Sequence, residues 1–108
     1  MKIIITGAYA IGTHLARLLS RNHEDITIID KDPERLAQIG SDYDLLTMEA
    51  SPESIRALKE AGIAHTDLYI AVTPDQSVNM NNCILAKALG AKKTVARIDN
   101  SEYKAPET

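Results

Sequence analysis

The sequence predicts an α/β fold built on a doubly wound parallel sheet, and three observations predict it. Short Ile-, Leu- and Val-rich runs alternate with helical patterns along the chain, the signature of right-handed βαβ units. The 108 residues include no Phe and no Trp, so the core is expected to be Ile, Leu, Val and Ala, which suits strands buried on both faces. Residues 3–12 read IIITGAYAIG, an apolar strand that ends in a glycine-bounded turn and opens a helix.

The elements follow in order. Lys2–Thr6 is the first strand. Ile11–Ser20 is a helix with Ile11, Leu15, Leu18 and Leu19 on one face. Asn22-His23 turns into a second strand, Ile26–Ile29, closed by Asp30. Asp32 caps the next helix and Pro33 takes the first-turn position that needs no N–H donor. Leu36 and Ile39 form its apolar face and Gly40 ends it. Leu45–Met48 is a short third strand. Ser51-Pro52 repeats the cap-plus-proline start, Ile55, Leu58 and Ala61 face inward, and Gly62 terminates.

Leu68–Val72 is the fourth strand. Thr73-Pro74-Asp75 turns into a long helix from about Ser77 to Leu89, which Gly90 stops. Thr94–Ile98 is the fifth strand. The expected sheet is Rossmann-like, with strand order 3-2-1-4-5. A sixth strand, usual in such sheets, cannot be drawn from Ser101–Thr108. The chain is therefore expected to be a single domain, residues 1–108, cut from a longer protein.

Bulk composition excludes several classes. The net charge is −3 with both signs interspersed, and no basic stripe suggests nucleic acid. A single cysteine, Cys83, rules out an internal disulfide and fits a reducing cytoplasm. No apolar run approaches the roughly 20 residues of a membrane span, so no direct membrane insertion is expected. Met1-Lys2 leads directly into a strand, so no signal peptide is expected. One cysteine and three dispersed histidines lack metal-ligand spacing.

The candidate site is the turn Gly7-Ala8-Tyr9-Ala10-Ile11-Gly12. A phosphate in such a turn rests on free N–H groups at the helix N-terminus. Gly7 allows the tight turn and Gly12 allows close helix–strand packing; the alternative is that both only shape the turn. The dinucleotide fingerprint is G-x-G-x-x-G, and here its middle glycine is Tyr9. A left-handed backbone at Tyr9 would cost roughly 1–2 kcal/mol; otherwise the ring can swing out over the phosphates. The ligand is then shifted, or is a smaller adenine nucleotide, or the site is degenerate.

Asp30 closes the second strand eighteen residues after Gly12, where an acid reaches the adenosine ribose hydroxyls. A carboxylate there repels a 2′-phosphate, which favours NAD(H) over NADP(H). The alternative is a local turn role.

With these residues in place, the chain resembles the nucleotide-binding half of an RCK (KTN) domain, as found at the N-terminus of TrkA-type peripheral subunits of bacterial Trk potassium-uptake systems. The resemblance runs from MKIIITGA through ITIIDKDPERL, EASPESIRALKEAGI and DLYIAVTPDQSVNM to ARI, nearly the whole chain. It implies that Gly7, Ala8 and Gly12 line the phosphate turn, that Asp30 takes the ribose, and that Lys31 flanks it. It places the adenine at Glu49, Ala50 and Ser51, with Glu49 where an Asp is usual. It puts Thr73 at the switch point beside the phosphates or second ribose, and Asn79 in the ordering of the turn into the fourth helix. Arg97 is implied as a cation near the phosphates or across a subunit boundary.

The plain alternatives are a Thr73 that satisfies turn backbone, an Asn79 on the helix surface, and an Arg97 in a core salt bridge. His14 is an alternative phosphate contact or a surface histidine. Cys83 reads as a small packing residue.

The resemblance implies a cytoplasmic, homo-oligomeric regulatory module that binds NAD(H) or ATP/ADP and acts on a membrane-embedded potassium transporter subunit. Val78 and Met80 are candidates for the contact between copies, or for the core. Two other function classes stay open: an NAD-dependent oxidoreductase without its substrate domain, and a degenerate interaction module. A dehydrogenase needs an acid or base near the nicotinamide, and His14, His23 and His65 are all poorly placed for it.

Overall fold

The computed structural model describes residues 1–99. The elements run β1 (Lys2–Thr6), α1 (Ala10–Arg21), β2 (Asp25–Asp30), α2 (Pro33–Ala37), β3 (Leu46–Glu49), α3 (Ile55–Glu60), a 3₁₀ turn (Ile63–His65), β4 (Leu68–Ala71), α4 (Gln76–Leu89) and β5 (Lys93–Ala96). The five strands form one sheet in the order β3-β2-β1-β4-β5, and every pairing is parallel. The stretch Ser101–Thr108, from which no sixth strand is expected, lies outside the described residues.

Alternation along the central strands divides the core in two. Ile3 and Ile5 join Ile26, Ile28, Ile70 and Val72 on one face, where Ala16 of α1 and Leu36 of α2 cover them. Ile4 joins Ile29, Tyr69 and Ala71 on the other, under Leu58 of α3 and Ala86 of α4. A strand buried on both faces has no polar side to present, which is why β1 reads as an unbroken Ile run. The core is not purely aliphatic: Tyr69 is its largest fully buried side chain. Its hydroxyl is hydrogen-bonded with Thr6 Oγ1 at 2.7 Å and with Asn82, so burial leaves no polar atom stranded. That burial pushes the phenol up to about 12.

Several expectations need correction. Ile11 and Leu18 are 41% and 42% exposed, so the inward face of α1 is not the one its large apolar residues suggest. The buried residues are Gly12, Thr13, Ala16 and Ser20, with Leu15 and Leu19 packed at the margin. The cause is a close crossing: a Cβ on Gly12 would stand 1.8 Å from the Gly7 carbonyl oxygen, so only small residues fit beneath. α3 starts later than the Ser51-Pro52 pattern suggests. Its cap is Ser54, whose side chain accepts from the Ala57 N–H, while Ser51 Oγ accepts from the Glu53 N–H in the preceding turn. Ile55 is consequently exposed and Ala57 is buried. β3 lies one residue later than expected, and β5 stops at Ala96, which leaves Arg97 and Ile98 beyond the strand.

Candidate functional site

The sheet order reverses at β1, with β2 on one side and β4 on the other. In open parallel sheets the crevice outside the strand C-termini at that point is where ligands bind. A crevice of about 320 Å³ lies there, lined by Tyr9, Asp30, Lys31, Arg35, Ser51, Pro52, Glu53, Thr73, Pro74, Asp75 and Val78. Five of the expected residues, Tyr9, Asp30, Lys31, Ser51 and Thr73, thus come together.

The turn beside the crevice depends on Gly7. Gly7 has φ 103°, and a Cβ there would meet the Val72–Thr73 backbone at 2.9 Å. Gly7 donates its N–H to Ile29, locking the turn to β2. Tyr9 precedes α1 at φ −84° and ψ −168°. That is ordinary extended backbone, so the tyrosine carries none of the left-handed strain its position raised. The N–H groups of Ala10, Ile11 and Gly12 open α1 without intrahelical acceptors, an arrangement suited to an anion.

Asp30 holds the densest set of contacts. It is 1% exposed. Its Oδ2 accepts from the Ala8 N–H at 2.7 Å. Its Oδ1 accepts from the Asp32 N–H at 2.8 Å and from Arg35 Nε at 3.1 Å, with Arg35 Nη2 at 3.0 Å. Burial works against ionisation, but the Arg35 guanidinium and the two backbone donors outweigh it and hold the carboxyl below the usual range. Arg35 also reaches Asp32 Oδ2 at 3.2 Å, and its guanidinium carbon stands 4.2 Å from the centre of the Tyr9 ring. Asp32 meanwhile caps α2 by accepting from the Glu34 N–H.

Thr73 is fixed from behind. Asn79 is fully buried, not on the helix surface. Its Oδ1 accepts from the Thr73 N–H at 2.9 Å and from Thr73 Oγ1 at 2.7 Å. Its Nδ2 donates to the Thr73 carbonyl at 2.9 Å and to the Arg97 carbonyl at 3.0 Å. Asp75 caps α4 through the Ser77 and Val78 N–H groups. One helical turn on, Asn82 Nδ2 donates to the Pro52 carbonyl at 2.7 Å and so holds the opposite rim.

Other expected residues sit elsewhere. Glu49 faces a separate hollow with Pro33, Leu36 and Thr47. Ala50 packs against the core beneath α3 and α4. The Arg97 side chain lies outside the crevice and pairs with the exposed Asp99 at 3.2 Å, because β5 ends before it. That pair is not a core salt bridge. Val78 and Met80 are both half-buried.

Arg35 and Asn82 escaped the sequence reading. Arg35 stands five residues after Asp30, and Pro33 fixes the helix start between them; that spacing was the available signal. Asn82 lies three residues after Asn79 on one helix face. Among the described residues no group of His, Cys, Asp and Glu is placed to hold a metal ion, and no helix is long and apolar enough to cross a membrane.

The TrkA-N domain family model matches residues 3–106. The Trk system potassium uptake protein TrkA of Haemophilus influenzae is 41% identical over 104 residues. The TrkA homolog of Archaeoglobus fulgidus is 37% identical over 103 residues. Each alignment covers 95% of this chain and 23% of the relative, so the chain spans about a quarter of the length of these proteins. A second archaeal TrkA homolog, from Methanothermobacter thermautotrophicus, is 29% identical, and the alignment covers 48% of it. With a match from the first strand to beyond the fifth, the chain belongs to the TrkA-N domain family.

Proposed function

We propose that this chain is the nucleotide-binding regulatory domain of a TrkA-type subunit of a potassium-uptake system. In this reading residues 1–108 form one domain of a longer, cytoplasmic, homo-oligomeric protein that works on a membrane-embedded transporter subunit. The ligand is an adenine nucleotide, NAD(H) in first place and ATP or ADP in second. The domain binds and does not catalyse.

The observation that carries this reading is the convergence of Tyr9, Asp30, Lys31, Ser51 and Thr73 on one crevice at the reversal of the sheet. The α1 N-terminus offers N–H groups to phosphate at one end. The Asp30 carboxylate stands at the end of β2, where a ribose is read. Glu49 and Ala50 lie outside the crevice, and Arg97, beyond the end of β5, is left for a contact across a subunit boundary rather than for the ligand. A ligand regulates the transporter by binding one conformation of the assembly better than another.

The test is thermal unfolding of the chain with NADH, NAD, NADPH, ATP or ADP. A ligand at 100 times its dissociation constant adds about 2.7 kcal/mol. In a domain of this size each kcal/mol raises the midpoint by roughly 4–8 °C. A rise with NADH, ATP or ADP supports the reading. No rise with any of the five overturns it.

A further inference from the structure

The Oδ1 atom of Asp30 has no acceptor position left, and Oδ2 keeps one. A carboxylate offers about four lone-pair sites. Ala8 N–H takes one on Oδ2, while Asp32 N–H, Arg35 Nε and Arg35 Nη2 crowd Oδ1. The two backbone donors are fixed by the turn and by the start of α2. Only Arg35 is a side chain able to leave.

We propose that Arg35 is the specificity-determining residue of the crevice, competing with the ribose hydroxyls for Asp30 and masking the charge by which Asp30 would reject a 2′-phosphate. The proposal rests on the nucleotide-binding reading above.

Two features support it. The competitor is held in place: Arg35 stacks on the Tyr9 ring at 4.2 Å and pairs with Asp32 at 3.2 Å. One ribose hydroxyl can reach the open Oδ2 position, but a diol that engages both carboxylate oxygens must displace a guanidinium that has three partners. Secondly, the competitor lines the crevice itself, as do Tyr9 and Asp30, so the exchange takes place at the ligand's own position. With Arg35 on Asp30 the carboxylate is one end of an ion pair and not a bare negative charge. The usual penalty against a phosphorylated ribose is then small. Without Arg35 the same carboxylate accepts both ribose hydroxyls and repels a 2′-phosphate.

The experiment measures dissociation constants of NADH and NADPH by nucleotide fluorescence for the wild-type chain and for Arg35→Met, which keeps the length and helix preference of the side chain. The wild-type chain is expected to bind the two within about tenfold of each other, less than a hydrogen bond to a charged group is commonly worth. Arg35→Met is expected to raise the NADH-over-NADPH ratio at least about tenfold, with NADH itself tighter.

A wild-type preference for NADH beyond about a hundredfold overturns the proposal, and needs no variant. So does an Arg35→Met chain that binds both nucleotides with an unchanged ratio. In either case the nucleotide-binding reading survives, because NADH binds. If neither nucleotide, nor ATP or ADP, binds the wild-type chain, that reading falls and takes this one with it. Arg35→Gln, which leaves a neutral donor, gives an intermediate ratio if Arg35→Met does not fold.

Discussion

Gly12→Ala adds one methyl group at the most crowded of the five glycines. Its Cβ would lie 1.8 Å from the Gly7 carbonyl oxygen, 3.0 Å from the Gly7 carbonyl carbon and 3.2 Å from Val72 Cγ2. None of the first two is the end of a flexible side chain. Gly7 cannot readily retreat, because its N–H is bonded to Ile29 and the space between it and the Val72–Thr73 backbone is too narrow even for a Cβ. Helix α1 must therefore move off β1 as a body.

Two effects of opposite sign compete. Alanine in a helix interior is favoured over glycine by about 1 kcal/mol. Overpacking that shifts backbone costs typically 1–3 kcal/mol and occasionally more. A gap of 1.8 Å has to open to at least 3.0 Å, which puts the clash at the upper end of that range. The expected net loss is about 2 kcal/mol or more, a fall in the melting midpoint of roughly 8–16 °C. Urea unfolding followed by circular dichroism measures it, with an unchanged slope identifying a stability effect alone. Because propensity by itself predicts a gain, the sign is diagnostic. A Gly12→Ala chain as stable as wild type would refute the close crossing of α1 over β1.

Three further outcomes follow from the buried polar groups. Asn79→Ala leaves the Thr73 N–H, the Thr73 carbonyl and the Arg97 carbonyl without their side-chain partner, and should cost about 2–4 kcal/mol in urea unfolding. Tyr69→Phe deletes a hydroxyl bonded to Thr6 and Asn82; a loss near 1 kcal/mol is expected, and the wild-type phenol should stay protonated in absorbance titrations past its ordinary range. The Asp30 carboxyl is depressed in the folded state, so its contribution is present above the unfolded value of about 4 and lost as pH falls through the lower folded value. Asp67 is depressed too, chiefly by the Lys2 N–H. Asp30→Asn should therefore flatten part, not all, of the acid-side decline in stability; an identical pH profile would contradict the Asp30–Arg35 pairing.

What the sequence disclosed depended on how local the cause was. Strand order was legible because Ile runs, glycine stops and the Asp32-Pro33 start are local signals, and right-handed crossovers leave few topologies. The inward face of α1 was not legible. Large apolar residues usually mark the buried side, but here the approach of two backbones at Gly7 and Gly12 selects Gly12, Thr13 and Ala16 and turns Ile11 outward. The start of α3 was misplaced by three residues because Ser51 and Ser54 are both good caps: Ser54 caps the helix while Ser51 closes the turn before it. The crevice was half legible. Asp30 and the turn could be placed by spacing along the chain, whereas the stack of Arg35 on Tyr9 joins helix α2 to the start of α1, which only the folded sheet brings together.

The inner face of α4 makes the same point in reverse. Asn79, Asn82 and Ala86 are its buried residues, a weak apolar stripe by the usual standard. A helix that packed only on the sheet would be better served by Leu or Ile at those positions. But the N-terminal half of α4 overlies the point where the sheet ends and two loops begin. Loop backbone that does not join a ladder needs partners from elsewhere. Asn79 and Asn82 supply them, one to the Thr73 turn and one to Pro52. Since both amides sit on one rigid helix, the separation of the two crevice walls is set by a single element. Hydrophobic burial at those positions would stabilise the helix and leave the walls unheld.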